Sequence, residues 1–301
     1  MKTILVTHQL PKVAFETIVN DYKIIMPDKG LISSCMLDRW IGRCDALLPT
    51  YAFKVTKGYD NIDVNYAITK GILVTNSPKP VIEPTAELAF SLLLNVARRI
   101  SECDRKLRSS RGIEIDVMEN LGISLYGKTL GIVGMGAIGQ ALARRASACG
   151  MRIIYYNRKR LSQEIENAYE ADWVSLNELL ATSDFISLHA PATSETYHMI
   201  DIQQFKLMKP SVVLINTARG NLINERVLIH FLQKKRIFGA GLDVFENEPE
   251  IPSELLQLDN VLLSPHNGTG TIDTRVESTR YALQNIINFF EGKTLLSPVT
   301  K

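Results

Sequence analysis

Three ionisable side chains in the second half of the chain each follow a short apolar run. Arg219, Glu248 and His266 come after segments whose composition is typical of buried strands. Parallel strands present their carboxyl ends along one edge of a sheet, and ligands bind outside that edge. A guanidinium pairs with carboxylates, and a histidine near a carboxylate can transfer protons. The three residues therefore predict a site that binds an anion and carries out acid–base chemistry.

Each of these residues also has an ordinary structural explanation when it is considered alone. Arg219 could cap the end of a strand, and His266 could be a loop histidine with satisfied hydrogen bonds. Glu248 could be a solvated surface charge. The case for function rests on their occurrence together, downstream of a strand that carries a nucleotide-binding motif.

That motif is the glycine-rich turn of Gly134, Gly136 and Gly139, which form G-x-G-x-x-G directly after the apolar run 130–133. Gly134 permits a tight turn, Gly136 lets backbone amides approach a pyrophosphate, and Gly139 allows close packing of helix on strand. A helical stretch without breakers follows at 140–149. This strand–turn–helix context predicts a dinucleotide site, and a tight turn without a ligand is the alternative.

The residues after the next strand distinguish between the two nicotinamide dinucleotides. NAD-binding proteins usually have Asp or Glu there, on the ribose 2′-hydroxyl. This chain has Asn157, followed by Arg158, Lys159 and Arg160. A carboxylate repels a 2′-phosphate, whereas Asn and Arg can hydrogen-bond it. The sequence therefore predicts NADP(H) in preference to NAD(H); NAD(H) binding beside a solvated basic loop is the alternative.

The elements that must position these residues alternate between apolar runs and helical stretches. This alternation predicts an α/β fold with parallel sheets and helices on both faces. We expect two doubly wound domains, Rossmann- or flavodoxin-like, with a cleft between them. The substrate domain is expected to comprise residues 1–97 plus 276–301, and the dinucleotide-binding domain residues 98–275. Within the first domain we expect a helix over 11–20 and a strand over 72–75.

One stretch of the N-terminal half is too short for this pattern. A parallel crossover needs at least about a dozen residues, but only 51–57 separate the apolar run 46–50 from Gly58. We expect that a segment is missing from the numbering between Lys57 and Gly58. The alternative is a genuine deletion that removes an edge strand.

Composition bounds the partners and the compartment. With 301 residues and a net charge of +2, the chain gives no reason to expect nucleic acid or an anionic membrane as a partner. Its four cysteines form no C-x-x-C, which is typical of reduced thiols in a cytoplasmic protein. We expect no signal peptide and no membrane-spanning run.

The histidines outside the site have no metal-ligand spacing, and we interpret them as structural or cofactor-adjacent: His8, His189, His198 and His230.

Taken together, the motifs resemble those of the D-isomer-specific 2-hydroxyacid dehydrogenase family over nearly the whole chain. The resemblance rests on Gly-Tyr-Asp-Asn-Ile-Asp at 58–63, the run 127–136, Asn-Thr-Ala-Arg-Gly at 216–220, Gly-Leu-Asp-Val-Phe-Glu at 241–246, Glu-Pro at 248–249 and Ser-Pro-His-Asn-Gly at 264–268. In this order the motifs are highly specific. They imply hydride transfer between a nicotinamide dinucleotide and a small 2-oxoacid or 2-hydroxyacid.

The resemblance implies a role for each reactive residue. Arg219 would bind the substrate carboxylate and polarise its keto oxygen. His266 would donate a proton to that oxygen as the hydride arrives, or remove it in the reverse direction. Glu248 would hydrogen-bond His266, orient its ring and favour the protonated form. Gly58 and Tyr59 would belong to the loop that binds the substrate carboxylate, although the longer glycine-containing lead-in of the family is absent before them.

The resemblance also implies contacts with the cofactor. Ala137 and Ile138 would join the glycines on the pyrophosphate, and Ala190 and Pro191 would lie near the adenosine half. Asp243 would bind the nicotinamide carboxamide. The remaining cofactor contacts are expected from Thr85, which lies at the hinge, and from Thr217, Ala218 and Gly268.

These inferences lead to one function and two alternatives. The leading hypothesis is a homodimeric NADPH-dependent enzyme that reduces glyoxylate, hydroxypyruvate or a sugar 2-ketoacid to the D-2-hydroxyacid. The first alternative is a dinucleotide-sensing regulatory protein of the same fold, against which the intact set of Arg219, Glu248 and His266 argues. The second is a dehydrogenase that oxidises formate or phosphite.

Overall fold

The computed structural model describes residues 1–49, 62–109 and 112–299. The chain divides into two compact units: unit 1 comprises Met1–Pro84 and Thr269–Lys301, and unit 2 comprises Thr85–Gly268. Each unit contains a parallel sheet with helices packed on it, which confirms the expected α/β class. The expected loop at Gly58 and Tyr59, and the expected break between Lys57 and Gly58, lie outside the described residues.

The elements are numbered in chain order. The strands are β1 (Lys2–Val6), β2 (Tyr22–Ile25), β3 (Ala46–Leu48), β4 (Thr129–Val133), β5 (Arg152–Tyr156), β6 (Ala171–Trp173), β7 (Phe185–Leu188), β8 (Val213–Asn216), β9 (Gly239–Leu242) and β10 (Val261–Leu263). The helices are α1 (Ser34–Trp40), α2 (Val64–Thr69), α3 (Ile82–Ala97), α4 (Ile100–Arg108), α5 (Ala137–Ala148), α6 (Gln163–Tyr169), α7 (Leu176–Thr182), α8 (Ile202–Leu207), α9 (Glu225–Gln233), α10 (Ser253–Leu256) and α11 (Ile272–Phe290). Within the three described ranges, no helix is both long enough and apolar enough to cross a bilayer.

Unit 1 is built on a parallel sheet in which β1 lies between β2 and β3. Ile4 and Val6 of β1 are fully buried and pack with Phe15, Leu48 and Leu283, the last of which is on α11. The alternation of apolar runs and helices in the sequence therefore produces a core that the first and last segments of the chain share.

Two expected elements of unit 1 were wrong. Over 11–20 the chain forms only a 3₁₀ turn at Lys12–Ala14 followed by further turns, and Pro11 provides no side-chain cap for a longer helix. Over 72–75 only Thr75 makes an isolated bridge, to Pro298. Ile72 and Leu73 are more than half exposed, so this apolar run does not enter a sheet.

Unit 2 is built on a seven-stranded sheet with the order β10-β9-β8-β7-β4-β5-β6. Every described pairing in it is parallel. Strands such as β7 and β8 are buried along their whole length, as expected for a sheet covered on both faces. The strand order reverses between β4 and β7, and a parallel sheet binds ligands outside the carboxyl ends of its strands at such a point.

The boundaries of the units differ from the expected domain boundaries at 97/98 and 275/276. The chain divides after Pro84 and after Gly268, so nearly all of α3 belongs to unit 2. The cause is packing on β9: a Cβ at Gly239 or Gly241 would lie 2.9 Å from Val96 or Leu92 of α3. These two glycines allow α3 to approach the sheet closely.

A buried carboxylate joins β5 to α6. Glu166 is only 4% exposed and accepts a 2.6 Å hydrogen bond from the Tyr155 hydroxyl. Arg160 donates to it through Nε and Nη2, each at 2.8 Å. These bonds, with that of Arg160 the stronger, lower the pKa of Glu166 to about 2, while burial raises the pKa of Tyr155 to about 12. Together they fix the loop that follows β5.

This carboxylate predicts a pH dependence of stability. The pKa of Glu166 falls from its ordinary 4.5 to about 2 in the folded chain, so its contribution is fully present above the ordinary pKa and is lost as the pH falls through that range. We expect the free energy of unfolding of Glu166→Gln to decline less steeply with acidification in this window than that of the wild type. Urea denaturation at a series of pH values measures this slope.

The control is Glu164→Gln, which removes an exposed carboxylate from the same helix. This variant should retain the slope of the wild type. Equal slopes for the wild type and Glu166→Gln would show that the ion pair makes no difference to folding.

Candidate active site

The glycine turn after β4 lies against the chain that leaves β7. A Cβ on Gly134 would lie 2.6 Å from the nitrogen of Ala190 and 2.7 Å from the carbonyl carbon of His189, and the φ of Gly134 is +95°. No other residue fits there without displacing backbone. Gly139 is constrained in the same way, because its Cβ would lie 2.6 Å from the oxygen of Gly134. Glycine at both positions therefore allows the turn to pack closely at the sheet edge where the strand order reverses.

Gly136 has the opposite environment. No heavy atom lies within 4 Å of the position of its Cβ, and as the N-cap of α5 it provides no side chain to the first turn. The amides of Ala137 and Ile138 begin this turn, where helix geometry leaves backbone donors without intrahelical acceptors. Open space, backbone donors and the helix dipole together fit the pyrophosphate of a dinucleotide.

The three residues expected at the 2′-phosphate have three different environments. Asn157 Oδ1 accepts a 2.7 Å hydrogen bond from the amide of Met135, so this side chain holds the glycine turn. Arg158 Nη1 lies 3.3 Å from Glu195 Oε2 in a pair whose side chains are 82% and 71% exposed. Arg160 Nη2 lies 2.8 Å from Glu166 Oε2 in an ion pair, and its contact with the 2′-phosphate stays a prediction. Of the two arginines, only Arg158 forms an ion pair in which both side chains are exposed, and such a pair is weak.

His266 and Glu248 are brought together from the loops after β10 and β9. His266 Nδ1 lies 2.8 Å from Glu248 Oε2, and the amide of Phe245 donates to Glu248 Oε1 at 2.9 Å. The Glu248 side chain is 8% exposed and that of His266 is 29% exposed. An ionised carboxylate only accepts hydrogen bonds, so Nδ1 carries the hydrogen. Nε2 is then the ring nitrogen that remains for proton transfer.

A buried aspartate shapes the loop that carries His266. Asp243 is 1% exposed, and its Oδ1 accepts hydrogen bonds from Ser264 Oγ at 2.5 Å and from the amide of Asn267 at 2.7 Å. Its Oδ2 accepts from the amide of Gly268 at 2.9 Å. Between these anchors, His266 adopts a φ of +52°. The sequence interpretation, which assigned Asp243 only to the nicotinamide, missed this role.

Thr85 and Gly268 lie beside this aspartate. A Cβ on Gly268 would lie 3.3 Å from Asp243 Oδ2 and 3.4 Å from the side chain of Thr85. The buried start of α3 and the end of the His266 loop therefore meet at the Asp243 carboxylate. A sequence signal for this arrangement exists: Ser264, Asn267 and Gly268 surround His266 and can donate hydrogen bonds, and Asp243 follows the neighbouring strand β9.

The loop of Arg219 follows β8 and is held by a local network. Asn216 Nδ2 donates to the oxygen of Arg219 at 2.8 Å, and Asn216 Oδ1 accepts from the amide of Ala218 at 3.0 Å. Arg219 is partly buried, and its Nη1 donates to the oxygen of Ala218 at 2.6 Å. A Cβ on Gly220 would lie 1.9 Å from the carbonyl carbon of Phe245. The Arg219 loop is therefore packed against the turn that carries Glu248.

Thr217, in the same loop, has a buried hydroxyl whose oxygen has no hydrogen-bond partner in the described part of the chain. Leaving such a group unsatisfied costs about 1–3 kcal/mol. A polar group of a bound ligand would satisfy it, which fits the expected contact of Thr217 and the adjacent buried Ala218 with a cofactor.

The chain after β7 supplies the remaining expected residues. His189 Nε2 lies 2.8 Å from Ser187 Oγ, and burial lowers the pKa of His189 to about 4, which keeps the ring neutral near pH 7. Ala190 is buried, and the oxygen of Pro191 accepts a 2.7 Å hydrogen bond from Thr196 Oγ1. Among the residues that the structure describes, no cluster of three or more His, Cys, Asp or Glu could hold a metal ion.

Comparisons with known proteins agree with this geometry. The sequence profile described as D-isomer specific 2-hydroxyacid dehydrogenase, NAD binding domain, matches residues 90–268. A glyoxylate reductase from Thermococcus litoralis is 43% identical over 317 aligned positions, covering 96% of this chain and 94% of that protein.

Solved structures agree over the whole length. The TT0316 protein from Thermus thermophilus is 33% identical, with a TM-score of 0.91, covering 99% of this chain and 100% of that one. An NADPH-dependent glyoxylate/hydroxypyruvate reductase from Sinorhizobium meliloti is 28% identical, with a TM-score of 0.84, covering 100% and 98%. On the profile match and the full-length relatives, the chain belongs to the D-isomer-specific 2-hydroxyacid dehydrogenase family.

Proposed function

We propose that this enzyme reduces a small 2-oxoacid to the D-2-hydroxyacid with NADPH as the hydride donor. The observation that carries the proposal is the 2.8 Å hydrogen bond between His266 Nδ1 and Glu248 Oε2, at the sheet edge that also carries Arg219. Relatives named for glyoxylate and hydroxypyruvate reduction support these two acids as substrates, with a sugar 2-ketoacid as a third.

When bound, a reduced nicotinamide supplies the hydride that adds to the carbonyl carbon. The chain contributes three side chains to the reaction, those of His266, Glu248 and Arg219. His266 donates a proton from Nε2 to the carbonyl oxygen, and Glu248 orients the ring through its contact with Nδ1. Arg219 pairs with the substrate carboxylate through its planar set of donors, which also polarise the carbonyl oxygen.

A panel of 2-oxoacids tests this proposal. We expect the wild type to oxidise NADPH in the presence of glyoxylate, hydroxypyruvate or a sugar 2-ketoacid. His266→Ala should lower kcat by about 100-fold or more, because a positioned acid contributes that order of rate enhancement. Arg219→Lys should mainly raise KM for the 2-oxoacid, since lysine cannot bind it in a bidentate manner. The absorbance of reduced nicotinamide reports each rate.

His230→Ala is the control, because His230 is an exposed histidine of α9. Its kcat should remain within about twofold of the wild type, as for most surface substitutions. An unchanged rate in His266→Ala would remove this residue from its role. Oxidation of formate or phosphite without reduction of any 2-oxoacid would favour the formate- or phosphite-type alternative. Tight dinucleotide binding without turnover of either class would favour the regulatory one.

The preference for NADPH is supported by the loop after β5. It has no carboxylate at Asn157, and Arg158 and Lys159 are exposed there. The Sinorhizobium meliloti relative is described as NADPH-dependent. Glu195 competes with a 2′-phosphate for Arg158, but exposed pairs of this kind contribute only about 0–1 kcal/mol. A dianionic phosphate can therefore displace this carboxylate.

Fluorescence titration of the reduced dinucleotides tests this preference. Arg158→Ala should raise the Kd of NADPH about tenfold, the loss of one charge-assisted contact of ~1.4 kcal/mol, and leave that of NADH unchanged. Glu195→Gln should act in the opposite direction and tighten NADPH binding up to a few-fold, because it removes the competing carboxylate. Tighter binding of NADH than of NADPH by the wild type would contradict the preference.

We also propose that the protein is a homodimer formed through unit 2. Seven large apolar side chains at and after α4 are more than half exposed: Ile100, Leu107, Ile115, Val117, Met118, Leu121 and Tyr126. Exposed apolar side chains concentrated in one stretch of a chain are typical of an interface, and a second copy of this chain would cover them.

Light scattering after gel filtration tests the dimer. The wild type should have twice the chain mass of 33.7 kDa, and Val117→Asp combined with Met118→Asp should shift it toward the monomer. Ile272→Asp, at an equally exposed position of unit 1, should leave the mass unchanged. A monomeric wild type would refute the proposal.

A further inference from the structure

Three polar side chains lie in and next to the turn that carries Glu248, and they take no part in the proton transfer proposed above for His266. His198, Glu225 and Glu246 come from three separate segments of unit 2: the chain before α8, the first residue of α9 and the turn after β9. We refer to these three residues as the loop clamp. The sequence interpretation left His198 as structural or cofactor-adjacent and assigned no role in the site to Glu225 or Glu246.

Glu246 is the centre of the loop clamp. Its Oε1 lies 2.8 Å from His198 Nε2, and its Oε2 accepts a 3.3 Å hydrogen bond from the amide of Glu225. In return, the amide of Glu246 donates to Glu225 Oε1, also at 3.3 Å. The side chains of His198 and Glu246 are 21% and 19% exposed, and Glu225 is buried. Glu246 therefore bonds to a side chain on one segment and to the backbone of another.

The loop clamp connects directly to the loops that carry the catalytic groups. The amide of His198 donates to the oxygen of Asn221 at 2.8 Å, two residues after Arg219. Phe245, adjacent to Glu246, donates through its amide to Glu248 Oε1 at 2.9 Å. The close approach of Gly220 to Phe245 lies between these two connections. The clamp therefore links the Arg219 loop, through His198, to the turn that carries Glu246 and Glu248.

Two features of the clamp are unfavourable for folding alone. His198 adopts a φ of +49°, a left-handed conformation that is uncommon for residues other than glycine. Burial raises the pKa of Glu225, and the nearby carboxylates of Glu246 and Glu248 raise it further. Backbone strain and neighbouring carboxylates beside a reactive site are costs that proteins retain where geometry serves function.

We propose that Glu246, held by His198 and Glu225, is a positioning residue that sets the separation between Arg219 and the Glu248–His266 pair. It touches neither substrate nor cofactor. This inference rests on the proposed function, because that separation matters only if one substrate is bound by the guanidinium and protonated by the imidazole.

Steady-state kinetics of Glu246→Ala tests the proposal. A misplacement of about 1 Å can lower a rate by roughly 100-fold, so we expect kcat for the 2-oxoacid to fall by about 10- to 100-fold and its KM to rise. The Kd of NADPH should remain within about twofold, since the expected phosphate contacts lie on the β4, β5 and β7 loops. Glu246→Gln should recover much of the loss, because its amide can still accept from Glu225 and reach His198.

Asp184→Ala is the matched control. Asp184 is likewise a partly buried carboxylate with two partners, the amide of Thr129 at 3.0 Å and Lys209 at 2.9 Å. It precedes β7 and so lies at the opposite edge of the sheet from the catalytic loops. This variant should lose stability but keep kcat and KM within about twofold, as expected for a residue remote from the site.

Hydrogen exchange of backbone amides in 218–222 and 244–248 provides a readout that does not depend on turnover. Glu246→Ala should exchange faster in both segments, and Asp184→Ala should not. If the wild type reduces no 2-oxoacid, the proposed function fails, whereas unchanged exchange in Glu246→Ala shows that the clamp does not exist. If Glu246→Ala does not fold, His198→Ala replaces it, because it removes the partner of Glu246 Oε1. Wild-type kcat, KM and exchange in whichever of these two alanine variants folds would overturn the proposal.

Discussion

The hydrogen bond between His266 and Glu248 is the interaction on which the rest of the site depends. It fixes which ring nitrogen carries the hydrogen and leaves Nε2 for the substrate, so one 2.8 Å contact determines both the orientation and the tautomer of the catalytic ring. The contact joins loops from neighbouring strands, β9 and β10, whose parallel pairing brings their carboxyl ends together. The fold thus supplies the coarse placement of the acid–base pair, and loop hydrogen bonds supply its orientation.

Two buried acids perform that orientation. Asp243 gathers three donors from the loop around His266, while the amide of Phe245 holds Glu248 from the other side. Each carboxylate in this region is satisfied by backbone or side-chain donors, which offsets the cost of its burial. The same principle applies at the other end of the site, where Asn157 accepts from the glycine turn and Glu166 braces the loop after β5. Residues that a sequence motif associates with a ligand are here also part of the hydrogen-bonded framework that positions the candidate site.

Much of this arrangement could be predicted from the sequence because it rests on local rules. The glycine turn, the parallel sheets and the positions of Arg219, Glu248 and His266 at strand ends all follow from apolar runs and breakers along the chain. The domain boundary could not be predicted, since the packing of α3 on Gly239 and Gly241 is a contact between distant segments. The partner of Arg160 and the second role of Asp243 were not predicted either, because they too are contacts that the fold creates. Charge and spacing show that a side chain is reactive, but not which neighbour the fold places beside it. The apolar run at 72–75 shows the converse, a strand-like composition without a sheet to enter.

The most direct measurement of the central claim is kcat for 2-oxoacid reduction in the wild type, in Glu248→Ala and in Glu248→Gln. Glu248→Ala removes the acceptor that orients the His266 ring, whereas the amide oxygen of Glu248→Gln can still accept a hydrogen bond from Nδ1. The account predicts that kcat falls by about 100-fold in Glu248→Ala, since a small misplacement of a reacting group costs that order of rate, and falls less in Glu248→Gln. Equal kcat values in the wild type and Glu248→Ala would contradict it.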